Sequence, residues 1–385
     1  MIPSLADLLV PHHTATFKAA LRDRKRLHLP TNNRDAFQRL FPWSALNQLI
    51  TWEKLVQGRC RAARRGRDLP LEMLSVVDRD FQRRLAPDLL QRFCHEGLSI
   101  AATWIEDDFP AIAALNAMLE RTLGCESQTN LYASFGRESA FRAHHDGHDV
   151  LVLHLHGRKR WFCYGYQDGP RAEGAMVPES ELGAPEWEHV LEPGDILFIP
   201  RGDVHRASVE SDACLHLAIK LGWPRGTDLL QWLAKEGATD PVLDADVPVY
   251  GGTEELAQRE AELRAALRRL ADTLDLRAFL AGQDAARSTL LPLNLGLSAE
   301  LTPDTWVQPT LRRKPTLPAE GGATIIVNGV QATLDPAERA ILAALLEHDA
   351  LQLSDIESRA GLPPWETRDA VSRLARRSLV LLTRE

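Results

Sequence analysis

The stretch Phe141-Arg142-Ala143-His144-His145-Asp146-Gly147-His148-Asp149 gathers imidazoles and carboxylates more densely than any neighbouring part of the chain. A strand places residues i and i+2 on one face, so His144 and Asp146 can aim an imidazole and a carboxylate at one point. A third ligand must come from a distant segment. The candidate is His205, just beyond the apolar strand that starts after Pro193-Gly194-Asp195 and ends at Pro200 and Gly202. Two His and one carboxylate form the facial set that leaves three positions of an Fe(II) ion open for a chelating cosubstrate and dioxygen (O2). Single histidines are more often ordinary hydrogen-bonded residues, and His145, His148, His189 and His216 are read that way. His154 and His156 share a face further along the strand, and a supporting or substrate-lining role for His154 stays open.

Something must bring these ligands together. From Gln128 to about Trp223 the helical period disappears and short strands bounded by Gly and Pro take over: Thr129 to Ser134, Val150 to Leu155, Lys159 to Tyr164, His189 to Leu191, Asp195 to Ile199, Ala207 to Val209 and Cys214 to Leu221. That spacing predicts a sandwich or barrel, and a jelly roll with the metal at its mouth is the natural container. Ahead of it, residues 1–125 mix helices and strands around the barrel. Asp35 to Ile50 has helical spacing about a Pro-Trp turn, Gly97 to Ala102 reads as a strand, and Phe109 to Leu123 as an amphipathic helix. Five arginines between Arg59 and Arg67 are expected to be a solvated loop.

After the barrel (126–225), residues 226–290 return to helix. Leu256, Leu263, Leu267, Leu270 and Leu274 recur between charges, as in a helical hairpin or dimer seam. The Pro- and Thr-rich stretch 291–322 is expected to be a linker. In 323–385 a strand precedes a helix with Asp335 as N-cap and Pro336 at its first position. Two more helices and a strand follow, which is a winged-helix plan. The predicted fold is therefore mixed α+β: a double-stranded β-helix (jelly-roll, cupin) barrel, a helical dimerisation region and a C-terminal winged helix.

Composition narrows the function. A chain of 385 residues exceeds one domain, and a net charge of -8 argues against bulk-charge binding to nucleic acid. Between Asp335 and Glu385 nine acids face seven bases, so the winged helix is expected to contact protein and not DNA. Five cysteines without a CxxC pair read as reduced packing residues of a cytoplasmic protein. Neither a secretion signal nor a membrane span is expected.

Asn130-Leu131-Tyr132, His144 to Val150, Gly157-Arg158-Lys159-Arg160-Trp161 and Pro193-Gly194-Asp195 through His205 form one combined pattern. In it, residues from about 17 to 222 resemble the cupin-type JmjC oxygenases, and the plan of barrel, helical region and winged helix is similar to the ribosomal oxygenase family, which hydroxylates side chains of ribosomal proteins. The resemblance implies Fe(II) on His144, Asp146 and His205. It also implies 2-oxoglutarate, its far carboxylate on Lys159, with Tyr132 and Asn130 nearby. Physically, a lysine inside a largely apolar barrel needs a partner, and a dicarboxylate supplies one. There is one departure: the last barrel strand reads His216-Leu217-Ala218-Ile219-Lys220-Leu221, where relatives commonly place a small hydroxyl residue.

The expected activity is that of a 2-oxoglutarate-dependent dioxygenase hydroxylating a ribosomal protein or a ribosomally made precursor peptide. The same chemistry on a small molecule, such as a free amino acid or natural product, is the alternative, and a non-enzymatic metal-binding cupin regulator is a third. Glu173, Glu179, Glu181, Glu186, Glu188 and Glu192, with Asp149 and Asp203, suggest guidance of a basic substrate. The expected assembly is a homodimer.

Overall fold

Each short apolar strand of this chain has two faces to cover, and they are covered by closing two sheets over one another. A computed structural model describes residues 2–51, 58–79, 81–136, 141–166, 176–285, 294–296 and 300–384. The chain divides into two units, one of residues 1–222, 290–324 and 333–385, the other of residues 223–289 and 325–332.

In the first unit, helices α1 (Leu5–Leu9) and α2 (Thr14–Asp23) lead into strand β1 (Leu27–Pro30), followed by α3 (Arg34–Leu40) and α4 (Trp43–Ile50). Strands β2 (Cys60–Arg64), β3 (Arg67–Leu69), β4 (Ser75–Val77) and β5 (Arg83–Leu85) come next, then α5 (Pro87–His95), β6 (Ser99–Ala102) and α6 (Pro110–Leu123). The arginine run is thus a hairpin and not the expected solvated loop, with Arg61 paired to Asp68 and Arg64 to Glu96. Charge composition reports solvation, not backbone pairing, and here the adjacent residues Ala62 and Ala63 are buried and paired with β6. Helix α6 has Pro110 at its first turn and Gly124 in the left-handed conformation (φ +74°) at its end, the punctuation that favours those residues.

The barrel strands are β7 (Glu126–Phe135), β8 (Asp149–His156), β9 (Lys159–Tyr166), β10 (Trp187–Leu191), β11 (Asp195–Ile199), β12 (Asp203–Val209) and β13 (Ala213–Gly222). They form an eight-stranded sheet, β1-β11-β8-β13-β7-β6-β2-β3, facing a three-stranded sheet, β10-β9-β12. All the pairings recorded for these strands are antiparallel. Strand β8 is buried from Asp149 to Leu155, because Leu151, Leu153 and Leu155 pack under the N-terminal helices while Val150 and Val152 face Trp161 and Leu197 inside the barrel.

The later elements of this unit are β14 (Trp306–Pro309), β15 (Ala323–Val327), β16 (Val330–Leu334), α11 (Pro336–His348), β17 (Leu351–Gln352), α12 (Leu353–Arg359), α13 (Pro364–Arg376) and β18 (Val380–Thr383); β15 and β16 run partly through the second unit. Asp335 caps α11 as anticipated, in a reciprocal box with Glu338. The stretch expected to be a linker is not one throughout: β14 lies between β17 and β18 in a sheet. Asn294 hydrogen-bonds Ala375, Val380 and Leu382 of the C-terminal elements. Moreover Arg121, fully buried on α6, donates to the Pro309 and Leu311 carbonyls and pairs with Asp349, while Arg312 and Arg313 pair with buried Glu120. Polar residues 306–313 are therefore held by the barrel's own helix.

The second unit contains α7 (Gly226–Glu236), α8 (Pro241–Asp244), α9 (Thr253–Asp272) and α10 (Leu276–Ala285). Trp232 packs edge-on against Phe279, and Arg259 ties α9 to the carbonyls of Val242 and Ala245. No helix among the described residues is long and apolar enough to cross a membrane.

Candidate metal centre and its pocket

His144 and His205 are held together by two backbone hydrogen bonds, the His144 N–H to the His205 carbonyl (3.1 Å) and the His205 N–H to the His144 carbonyl (2.9 Å). This single bridge, not the strand expected from the spacing, fixes His144; Asp146 follows just before a bend at Gly147 and His148. His205, in turn, sits inside β12, at a register shift that re-aims its side chain, and not just beyond a strand. One ligand atom each of His144, Asp146 and His205 lies within 4.8 Å of the others.

Tautomers follow from the surroundings. His144 Nδ1 lies 2.9 Å from the Arg142 carbonyl and His205 Nδ1 lies 2.9 Å from the Asp203 carbonyl. A carbonyl only accepts, so both Nδ1 atoms carry the proton and both Nε2 lone pairs are left for a metal. His205 Nε2 is 3.7 Å from Asp146 Oδ2. Burial, then the neighbouring His205, lowers the His144 pKa, which keeps that ring neutral. The bend is tied down by the Gly202 N–H to the Asp146 carbonyl (3.1 Å) and the Arg201 N–H to Asp149 (2.5 Å). Gly202 has φ +87°, a conformation that favours glycine.

The three side chains open on a cavity of about 250 Å³ that is also lined by Asn130, Tyr132, Lys159, Trp161, His216 and Lys220. All of the expected cosubstrate residues are therefore brought to one place. Lys159 is buried and donates to Ser134 Oγ at 3.2 Å; desolvation lowers its pKa. Burial, and then the Asp146 carboxylate, push the Tyr132 hydroxyl up to about 12, so it remains a neutral donor, hydrogen-bonded to Asn130. Trp161 Nε1 and His216 Nδ1 are buried with no hydrogen-bond partner.

Some residues were missed. His216, read as ordinary, stacks on Tyr132 with ring centroids 5.1 Å apart. Ser134 continues the alternation Asn130, Tyr132 on β7, so period two alone could have found it. It supplies beside Lys159 the hydroxyl that is absent from β13, and Lys220 lines the cavity instead of pointing away. Arg61, from the arginine hairpin, reaches the cavity and covers the Phe141 ring at 5.2 Å. His154 is buried behind His216, donating through Nε2 to the Gly157 carbonyl (3.0 Å), and does not line the cavity. Four of the acids expected to guide a basic substrate have partners within the protein. Asp149 accepts the Arg201 N–H, Asp203 holds Arg26 and the Gly165 N–H, Glu186 pairs with Arg26 and Glu188 with Arg160. Glu173 lies outside the described residues.

The JmjC domain family matches residues 107–229. A protein of Aedes aegypti named bifunctional lysine-specific demethylase and histidyl-hydroxylase NO66 is 32% identical over 144 residues, 36% of this chain and 22% of that protein. Ribosomal oxygenase 1 of Rattus norvegicus is 28% identical over 218 residues, 55% of this chain and 36% of that protein. The chain thus spans well under half the length of these relatives. The crystal structure of Escherichia coli ribosomal oxygenase YcfD shares the fold across 97% of this chain and 98% of that one, with a TM-score of 0.53 and 16% identity. The same protein in complex with cobalt and 2-oxoglutarate covers 96% and 99%, at a TM-score of 0.50 and 17% identity. Residues 107–229 thus match the JmjC domain family, and the chain is similar to the ribosomal oxygenases over the segments given above.

Proposed function

We propose that this chain is an Fe(II)- and 2-oxoglutarate-dependent dioxygenase that hydroxylates a side chain of a protein or peptide. One observation carries the reading. Two imidazoles with available Nε2 lone pairs and one carboxylate share a cavity with a buried lysine. Fe(II) fits that donor set, and the cobalt and 2-oxoglutarate of the E. coli structure fit it too. A dicarboxylate fits the far wall, where Lys159, Tyr132, Trp161 Nε1 and His216 Nδ1 present polar atoms, two of them with no partner in the protein.

In this reading His144, Asp146 and His205 hold the metal. Lys159 takes the far carboxylate of 2-oxoglutarate, Tyr132 and Asn130 share it, and Ser134 holds the ammonium in place. When bound, the metal and cosubstrate supply oxidative decarboxylation coupled to insertion of one oxygen atom of O2 into a C–H bond. The protein's share is orientation and exclusion of water. Bridged backbones fix the two rings, and the apolar wall of Val150, Trp161 and Ala218 keeps the interior dry.

The mouth is lined by Arg61, Arg142, Arg206, Phe141 and Met176, with Glu179 further out. A cationic group drawn to the metal would meet those arginines, so the reacting side chain is uncharged, and any basic residues of the substrate lie outward at Glu179. Leu256, Leu267 and Leu274 stay exposed on the second unit, which supports the homodimer seam. The C-terminal elements suit a winged helix that packs against protein. An anaerobic titration with Fe(II) and 2-oxoglutarate, then a screen of ribosomal proteins and peptides for one added oxygen, tests the reading. Cosubstrate binding with succinate formation dependent on such a substrate supports it; a protein indifferent to both ligands ends it.

A further inference from the structure

Two strand edges in the barrel are left without a neighbour in their own sheets: β1 closes one end of the large sheet and β10 one end of the small one. Each edge contributes a histidine to one point. His28 of β1 and His189 of β10 have ring centroids 4.4 Å apart, and Asp195, the first residue of β11, lies 3.3 Å from His28 Nε2 through Oδ2. One ligand atom of each lies within 4.8 Å of the others. None of the three lines the oxygenase cavity.

The detail that singles this cluster out is an orphan. His28 Nε2 is buried and has no hydrogen-bond partner, although Asp195 Oδ2 is within reach. In a simple His–Asp pair the N–H would point along the line to the carboxylate. Here no such bond forms at 3.3 Å, and Asp195 Oδ2 already accepts the Glu192 N–H at 2.9 Å. The frame around it is firm. Thr31, next to β1, bonds the Gly194 carbonyl through both its N–H (3.3 Å) and its hydroxyl (2.6 Å), fixing the β10–β11 turn against the end of β1.

We propose that His28, His189 and Asp195 form a second divalent-metal site, of zinc type, that joins the free edges of the two barrel sheets. Two imidazoles and one carboxylate suit zinc with a water in the fourth position. At metal–ligand lengths of about 2.0–2.2 Å and tetrahedral angles, two ligand atoms of one ion stand about 3.3–3.6 Å apart. The ligand atoms here lie within 4.8 Å of one another, and His189, exposed at an edge, can rotate inward to close the difference. Nickel and copper would compete, and Fe(II) would bind more weakly. The role is structural: a metal that binds only the folded barrel raises its stability by mass action.

The test is equilibrium dialysis of the full chain against zinc, with metal counted per chain. Wild type is expected to hold two zinc ions. The His144→Ala/Asp146→Ala variant, which removes the mouth set, should hold one and gain melting temperature on zinc addition. Adding His189→Ala, or separately His28→Gln, to that background should abolish both the remaining zinc and the gain. A His144→Ala/Asp146→Ala variant that holds no zinc, or a remaining zinc indifferent to both edge substitutions, overturns the proposal. Because the readouts are stoichiometry and melting temperature, failure here leaves the oxygenase reading untouched, and the reverse holds.

Discussion

One barrel carries the same donor set twice, and the two copies are built differently. At the mouth, His144, Asp146 and His205 are fixed by reciprocal backbone bonds, both Nδ1 atoms are tied to carbonyls, and a cavity with a buried lysine lies alongside. At the edge, His28, His189 and Asp195 converge away from that cavity and its buried lysine, with one ring exposed. Two imidazoles and a carboxylate therefore do not by themselves define chemistry. What separates a reactive centre from a clamp is room for a second ligand and a cation to hold its far end.

The sharpest way to break that contrast is to remove the carboxylate from the mouth. Asp146→Ala should lower hydroxylation by about 10³-fold or more, because the metal's anionic ligand is gone and several kcal/mol of transition-state stabilisation go with it. Zinc bound at the edge should be unchanged, as direct metal counting would show. Persistent turnover would mean that the mouth set is not the reactive one. Next comes the cation. Lys159→Ala should weaken 2-oxoglutarate by about 2–5 kcal/mol, about 30-fold and upward, with the mouth metal retained, since a buried carboxylate loses its partner. Unaltered cosubstrate affinity in calorimetry would erase the distinction drawn between the two sites.

The mouth was legible in the sequence and the edge was not. The spacing of His144 and Asp146 singles the pair out, and the structure brings them together with His205, although the strand expected for them is a single bridge. The barrel strands showed because Gly and Pro punctuate them, as at Gly157, whose φ of +71° and contact with the Ala213 carbonyl leave no space for a side chain. His28 and His189 stand alone in two short strands far apart in the chain, so no local pattern joins them. Arg61 was hidden in a charge run that says nothing of direction. Residues 306–313 read as a linker because their partners, Glu120 and Arg121, lie on a helix near the start of the barrel.

His154 feels charges of both sites, Lys159 at one and Asp195 at the other, and its burial makes folding stability depend on pH. Burial chiefly lowers its pKa, from 6.5 to about 4; Lys159 also lowers it, while Asp195 and the Gly157 carbonyl oppose the shift. In the unfolded chain the ring titrates near 6.5, so between that value and about 4 the unfolded state binds the extra proton. The stability this group contributes is thus complete above pH 6.5 and is lost as pH falls through about 4, in total on the order of 3 kcal/mol. His154→Gln should flatten that part of the acid limb in metal-free denaturant titrations. An acid limb as steep as wild type would show that other groups, such as His216, set it.

The finest discrimination lies in Ser134. Its hydroxyl accepts from Lys159 Nζ at 3.2 Å, and both residues are buried. A rotamer-rich lysine held by one hydrogen bond is pre-oriented before the cosubstrate arrives, whereas the edge site has no such element. Ser134→Ala removes that bond without changing the charge, and a hydrogen bond to a charged group contributes about 1.5 kcal/mol at the lower end of its range, part of which the bound carboxylate recovers. The expected result is a loss of about fivefold in 2-oxoglutarate affinity with the turnover of saturated enzyme within about twofold, near 1 kcal/mol in all. Ser134→Thr, which keeps the hydroxyl, should restore most of it. If alanine at this position leaves affinity unchanged while Lys159→Ala does not, the ammonium is oriented by the cosubstrate alone, and the mouth differs from the edge by its cavity and charge and not by preorganisation.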